Sequence, residues 1–434
     1  MRSFGESGKD MEIQELKKRA FDYIESISDR IIEHGKKIME TPELGYREVK
    51  TSAYVENEMN RLELADVRGV ALTGVVSRLR GESGGSNVCV IGELDAVLTA
   101  DHPKADKQTG AAHSCGHNIQ IAQLLGCADA LKNSGVAEYL AGDVTFLAVP
   151  AEEFVELDYR HTLCKEGKIE ELSGKKELIA KGFFKDISCA MMVHSQPNEP
   201  ERSCYIDCKS LGFVAKKIRF IGKSAHAGGA PHEGINALNA AMAAMMCIHA
   251  MRETFRDEDK IRVHPIITKG GDLVNVVPAD VTMETYVRGA TPEAIADACF
   301  KVDRAIKGAA YALGAEVEIE DIGSYAPLKQ DISLGELFEK NALDFIPEER
   351  IYHGVDMVGS TDMGDLSLEI PSIQPTFGGY CGGAHSKEFC SADDYVTHIL
   401  PCKIMTATVI DLLANGAEAA IKIRENYDRN NGKR

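Results

Sequence analysis

A chain of 434 residues is too long for one simple core and predicts two domains, or one domain with a large insertion. Apolar residues make up 44%, which argues against disorder, and a net charge of -18 argues against nucleic acid and anionic membrane surfaces as partners. The twelve cysteines are scattered singly, many within apolar segments, which is the usage of reduced thiols in a cytoplasmic protein rather than of a disulfide framework.

The start, Met1–Lys9, is polar and glycine-rich and lacks the apolar core of a signal peptide. Ile13, Leu16, Ala20, Ile24, Ile27, Ile31 and Ile38 recur at helical spacing and predict one long amphipathic helix, stopped by Thr41-Pro42. A second helix is expected from about Val49 to Leu62. Ala71–Leu79 and Val88–Ile91 read as strands, joined by a turn over Gly81–Ser86. Next comes a loop, Ala112-His113-Ser114-Cys115-Gly116-His117-Asn118, followed by a helical pattern through Ile119, Ala122, Leu125, Ala128 and Leu131. Val144–Val149 is continuously apolar, as in a strand buried on both faces of a parallel sheet, and ends in Pro150-Ala151-Glu152-Glu153. Cys189–Val193 is a similar strand ending in His194, and the charged stretch Leu157–Asp186 between them is expected to be helical.

From about Leu211 the order changes to strand (Phe213–Ile221), helix (Ile235–Phe255), strand (Ile261–Thr268), strand (Val281–Arg288), helix (Pro292–Ala312) and strand (Ala315–Ile322). This β-α-β-β-α-β order is a self-contained split βαβ sandwich, with Pro265 marking an edge strand or bulge. The longest apolar helical stretch, Ala237–Met251, is too short to span a bilayer. After Pro327 come a helix (Ile332–Ala342), glycine-rich loops, a last helix (Leu400–Ala414) and a polar tail. The fold class is therefore α/β: a mixed, largely parallel sheet under helices over residues 1–210 and 325–434, interrupted by a βαββαβ domain over 211–324.

In parallel sheets, ligands bind in the crevice at the C-terminal strand ends. Cys115 and His117 follow one strand, Glu152 and Glu153 end another, and His194 ends a third, while His385 lies on the glycine-rich stretch Gly378–His385. Thiolate, imidazole and carboxylate suit one or two divalent ions. Two neighbouring acids are ordinarily a solvated face, but Glu152 and Glu153 end an apolar strand, where burial without a cation costs several kcal/mol per ion. One acid is then left to act as general base beside a metal-activated water. A lone strand-end histidine such as His194 is more often a structural hydrogen-bonder, and His226 by itself reads as a turn histidine. Arg288 fits a bidentate pair with a substrate carboxylate and fits a surface position equally well.

Taken in order, Pro42-Glu43-Leu44-Gly45 with Glu48, Glu93-Leu94-Asp95-Ala96, His113–Asn118, Pro150–Glu153, His194, Ser224-Ala225-His226-Ala227, Val277-Pro278 and Ala384-His385-Ser386 resemble the metal-dependent amidohydrolases of the aminoacylase and carboxypeptidase-type superfamily. The resemblance is nearest the branch of hippurate, auxin-conjugate and aminobenzoyl-glutamate hydrolases. It implies a catalytic domain interrupted by a lid that also forms a homodimer, and a dinuclear site of Zn²⁺ or Mn²⁺. It implies Cys115, His117, Glu153, His194 and His385 as metal ligands, with Cys115 bridging, and Glu152 as general base. His226 is implied as the lid imidazole that polarises the scissile carbonyl, and Asn275 and Arg288 as substrate-binding lid residues. The implied reaction is hydrolysis of an amide in an N-acyl or N-aroyl amino acid. Many relatives have Asp and then His after Cys-Gly-His, whereas this chain has Asn118 and Gln120, which alters the hydrogen bonding behind the ligands.

Three alternatives accompany this reading. A thiol hydrolase would use Cys115 as nucleophile and be indifferent to chelators. A metal-binding, non-catalytic relative would have no use for the spare Glu152. A dipeptidase would share every metal-site residue, because specificity lies in lid and loop contacts.

Overall fold

The computed structural model describes residues 12–81, 85–357 and 359–432, so the expected signal-free start and part of the expected turn over Gly81–Ser86 lie outside the described residues. The chain divides into two compact units. One runs through Lys209 and resumes over Lys329–Asp356 and from Leu366 onward; the other comprises Ser210–Leu328 and Met357–Asp365.

The larger unit is built on a six-stranded sheet in the order Ala65–Val70, Gly74–Leu79, Gly142–Val149, Ser86–Glu93, Cys189–Met191, Ser372–Ile373. The first two junctions are antiparallel and the last three parallel. Val88, Val90, Val144 and Phe146 are wholly buried because helices cover the sheet, which is why these strands read as unbroken apolar runs. The helices His117–Asn133 and Leu400–Leu413 are buried almost throughout. A smaller four-stranded sheet orders Ile351–His353, Cys204–Ile206, Thr376–Phe377 and His194–Ser195. A hairpin pairs Tyr380–Cys381 with Cys390–Ser391.

In the second unit, Gly212–Ile221 lies between Asp280–Gly289 and Glu316–Tyr325, antiparallel to both. Burial alternates along Asp280–Gly289, with Val281, Met283 and Val287 turned into a core shared with helices Ala237–Ala250 and Pro292–Ala312. Asn236 and Thr291 cap these helices by accepting backbone N–H groups, and Pro292 pre-sets the first turn of the second. The strand expected over Ile261–Thr268 is two short ones, Arg262–Val263 and Ile266–Lys269, interrupted at His264-Pro265.

Four sequence expectations need correction. The expected single helix is two, Ile13–Ser26 and Ser28–Met39, broken at Ile27 (φ -115°, ψ 11°), where Ser, Ile and Ser are together weak helix formers. The strand Ala65–Val70 went unread because it is mostly solvent-facing. The polar tail contains another helix, Glu418–Asn430, anchored only by Ala420, Ile423 and Tyr427. A longer apolar helical run than Ala237–Met251 exists: Tyr395–Leu413 has the length and composition of a spanning helix, yet 94% of it is buried inside the fold.

Candidate metal centre

Each candidate group in the larger unit enters from the end of a regular element. Gly116 caps the helix His117–Asn133 at φ +93°, a left-handed conformation that turns the chain sharply between Cys115 and His117. The Ser195 hydroxyl donates to the Cys115 carbonyl at 2.8 Å, tying this turn to the strand that carries His194. The backbone N–H of His385 donates to Ser114 O at 2.9 Å, which fixes the hairpin loop to the same turn.

These ties gather two sets of donor atoms that share Cys115. Cys115, His117 and His194 form one and Cys115, Glu153 and His385 the other, with donor atoms in each set within 4.8 Å of one another. Cys115 Sγ is 3.5 Å from His194 Nε2, and Glu153 Oε1 is 3.0 Å from His385 Nε2. His117 Nδ1 lies 2.8 Å from the Asp95 carbonyl and His194 Nδ1 lies 3.1 Å from the Ser195 carbonyl. A carbonyl only accepts, so both rings carry their proton on Nδ1 and turn Nε2 toward the cluster.

The electrostatics follow from packing these groups together. Burial opposes ionisation of the Cys115 thiol, but the His194 and His117 rings outweigh it and hold its pKa well below the ordinary thiol value. Burial and the adjacent Cys115 push Glu153 up to about 7. Hydrogen bonds to Cys115 and Glu153 push His385 up to about 11. His117 Nε2 and Glu153 Oε1 are buried, and the polar atoms facing them at 3.0 Å, Glu93 Oε2 and His385 Nε2, are themselves candidate donors. Buried donor atoms of this chemistry, converging on a shared thiol sulfur, fit divalent metal.

Glu152 is 7% exposed and joins Glu93 and His117 in a third group, again with donor atoms within 4.8 Å. The motif Glu93-Leu94-Asp95-Ala96 is legible in the sequence, but the roles of Glu93 and Asp95 are not. The Asp95 carboxylate accepts the Glu153 backbone N–H at 2.8 Å while its backbone carbonyl faces His117 Nδ1 at 2.8 Å, so one buried residue orients two candidate ligands. Glu93 is fully buried against the fully buried Lys175, and its Oε2 is 3.0 Å from His117 Nε2. Gln120 fills both hydrogen-bonding roles beside it: its amide donates to Glu93 Oε2 at 2.9 Å and accepts the Glu93 N–H at 3.1 Å. Asn118 turns away and donates to Gly35 O at 3.0 Å. The only signal for Glu93 and Asp95 was acidity at the end of an apolar strand; Lys175 had none.

His226, Asn275 and Arg288 belong to the second unit. Gly228 and Gly229 N–H groups donate to His226 Nδ1 at 3.2 and 2.9 Å, which leaves Nε2 as the protonated, outward donor of an exposed ring. The Asn275 carbonyl accepts the Ala227 N–H at 2.9 Å, placing Asn275 in the turn that runs beside the His226 loop. Arg288 donates to the Ser360 hydroxyl at 2.7 Å and lies over the Phe213 and Tyr286 rings, and no carboxylate among the described residues pairs with it.

The model of Peptidase family M20/M25/M40 matches residues 89–401. The chain belongs to that family. It is accordingly a metal-dependent hydrolase, in accord with the resemblance seen in its motifs. Among relatives, the Xaa-Arg dipeptidase of Mus musculus is 26% identical over 381 residues, covering 84% of this chain and 80% of its own. The Bacillus subtilis YXEP protein, described as a dinuclear metal binding peptidase from the M20 family, superposes with a TM-score of 0.68 at 20% identity, covering 90% of this chain and 99% of that one. The aminobenzoyl-glutamate utilization protein of Klebsiella pneumoniae superposes with a TM-score of 0.66 at 17% identity, over 94% and 100% of the two chains.

Asp95→Ala removes the carboxylate that accepts the Glu153 N–H and leaves the backbone carbonyl facing His117. Metal affinity is expected to fall roughly 10- to 100-fold, measured by chelator competition. Unchanged affinity would show that this carboxylate does not orient Glu153.

Proposed function

We propose that this M20-family hydrolase cleaves the amide bond of an N-acyl or N-aroyl amino acid at a dinuclear centre. The observation that carries the reading is the pair of donor sets sharing Cys115, with the carboxylate of Glu152 beside them. Cys115, His117 and His194 would hold one ion, and Cys115, Glu153 and His385 the other. The mixed thiolate, imidazole and carboxylate donors favour Zn²⁺, with Mn²⁺ the alternative. Bound divalent ions supply positive charge that brings the pKa of water toward neutrality and polarises a carbonyl. Glu152 takes a proton from the attacking water and returns it to the amine nitrogen as the carbon–nitrogen bond breaks. His226 donates from Nε2 to the oxygen of the scissile carbonyl, a role supported by the two backbone N–H groups that fix its tautomer.

The half-buried Arg288, without a carboxylate of its own, supports recognition of a substrate carboxylate, with Asn275 as a second contact. The likeness to the aminobenzoyl-glutamate utilization protein favours an aroyl-amino acid, and the likeness to the Xaa-Arg dipeptidase supports a dipeptide as the alternative substrate. All twelve cysteines are free thiols, which supports a reducing compartment such as the cytoplasm.

The direct test is metal content by elemental analysis together with amine release from p-aminobenzoyl-glutamate, hippurate and a dipeptide, before and after chelation. One to two ions per chain and chelator-sensitive release are expected, and Glu152→Gln is expected to keep its metal and lose turnover by at least ~100-fold. Turnover at the wild-type rate in that variant would remove Glu152 from the mechanism, and turnover indifferent to chelation but lost on alkylation would favour the thiol-hydrolase alternative.

His226→Ala is expected to lower kcat by roughly 100-fold, the scale of one lost oxyanion donor, with metal content unchanged. Loss of metal in this variant would make His226 a ligand instead.

A homodimer through the second unit is supported by its exposed apolar side chains, Met242 and Met246 on one helix and Ile266, Leu273 and Val274 at the sheet edge. Sedimentation is expected to give a dimer mass that Met246→Glu reduces to that of a monomer; a wild-type monomer would refute it.

A further inference from the structure

The segment that delivers Glu152 and Glu153 leaves its strand through Ala151, whose φ of +57° is a left-handed conformation that costs a non-glycine residue roughly 1–2 kcal/mol. Buried charged side chains hold the backbone on both sides of Glu152. Glu48, fully buried, accepts the Ala151 N–H at 2.8 Å, and its other oxygen accepts the Thr73 hydroxyl at 2.6 Å. Arg160, also fully buried, donates from Nη1 to the Ala151 carbonyl at 3.2 Å and from Nη2 to the Glu153 carbonyl. Its Nη1 is braced further by the Leu172 carbonyl at 2.7 Å. Asp95 takes the Glu153 N–H, as described above. The fold keeps room for this arrangement: a Cβ on Gly45 would come within 2.2 Å of the Arg160 guanidinium and 2.8 Å of Ala151 Cα.

A surface loop satisfies such backbone groups with water, at no cost in buried charge. Here two fully buried ionisable side chains are committed to two peptide units. Burial and the nearby Asp95 push the Glu48 carboxyl up to about 8. A neutral carboxyl still accepts through its carbonyl oxygen, so the contact with Ala151 survives in either form.

We propose that Glu48 and Arg160 are positioning residues for the reaction: they lock the peptide units flanking Glu152 and so aim its carboxylate at the attacking water. This rests on the reading of Glu152 as general base. Misplacing a general base by about 1 Å is enough to cost on the order of 100-fold in rate. Glu48→Leu leaves the Ala151 N–H unpaired, whereas Glu48→Gln keeps the acceptor. Arg160→Lys keeps the charge but cannot span both carbonyls.

The experiment compares Glu48→Leu, Glu48→Gln, Arg160→Lys, Glu152→Gln and the double variant Glu48→Leu/Glu152→Gln for metal content, melting temperature, kcat and KM. Glu48→Leu and Arg160→Lys are expected to retain their metal and lose roughly 100-fold in kcat with KM within about twofold. Glu48→Gln is expected to restore kcat to within about fivefold of the wild type, because it restores the hydrogen bond alone. In the Glu152→Gln background, Glu48→Leu is expected to cause no further loss, since a misaimed base that is already absent has nothing left to lose. A lower melting temperature with wild-type kcat in both Glu48→Leu and Arg160→Lys would overturn the proposal, as would the same further loss in the Glu152→Gln background. If Glu48→Leu does not fold, Arg160→Lys decides by the same readouts. Full activity in Glu152→Gln would remove the general-base reading and this proposal with it, whereas an inactive Glu152→Gln beside a fully active Glu48→Leu would remove this proposal alone.

Discussion

The constraint on which the larger unit depends is a cluster of buried carboxyl groups, most of them at the ends of parallel strands. Glu48, Glu93 and Asp95 are fully buried, and Glu152 and Glu153 are 7% and 8% exposed. Taking a carboxylate out of water costs several kcal/mol after relaxation, so such a group persists only beside cations or dense hydrogen bonding. The fold supplies two fully buried cations here, Lys175 against Glu93 and Arg160 against the backbone carbonyls of the Glu153 loop. The remaining negative charge, with the polarised Cys115 thiol in its midst, is what a divalent ion neutralises.

Division of labour among these acids follows from their partners. Asp95 is spent on orientation, its carboxylate on the Glu153 N–H and its backbone carbonyl on His117 Nδ1. Glu93 is bonded by Lys175 and Gln120, and the Lys175 charge with the His117 and His194 rings holds its carboxyl down to about 2 despite burial. Glu153 points at His385 and shares the Cys115 set. Glu152 belongs to neither Cys115 set and gathers instead with Glu93 and His117. Position along the chain does not distinguish Glu152 from Glu153; the donor atoms gathered around each do.

The second unit obeys different physics. Its sheet alternates buried and half-exposed positions, so one face makes a core with two helices while the other presents polar and aromatic groups. Arg288 lies on that second face, held by Ser360 and by the Phe213 and Tyr286 rings rather than by an acid.

Local patterning was enough to read the buried strands Ser86–Glu93 and Gly142–Val149, the β-α-β-β-α-β order of the second unit, and the residue types Cys115, His117, Glu152, Glu153, His194 and His385 at element ends. These were legible because covering a strand on both faces leaves an unbroken apolar run, and because metal donors form a short list of side chains. The break at Ile27, the solvent-facing strand Ala65–Val70 and the sparsely anchored helix Glu418–Asn430 were not, since each carries little apolar periodicity. Tertiary structure alone decided what stands behind the ligands. Glu93 and Lys175 are 82 residues apart, and Glu48 and Ala151 are 103 apart. A charged residue looks the same in sequence whether it ends in water or in the core. Only folding removes the water, and with it the ambiguity over which charges must find each other.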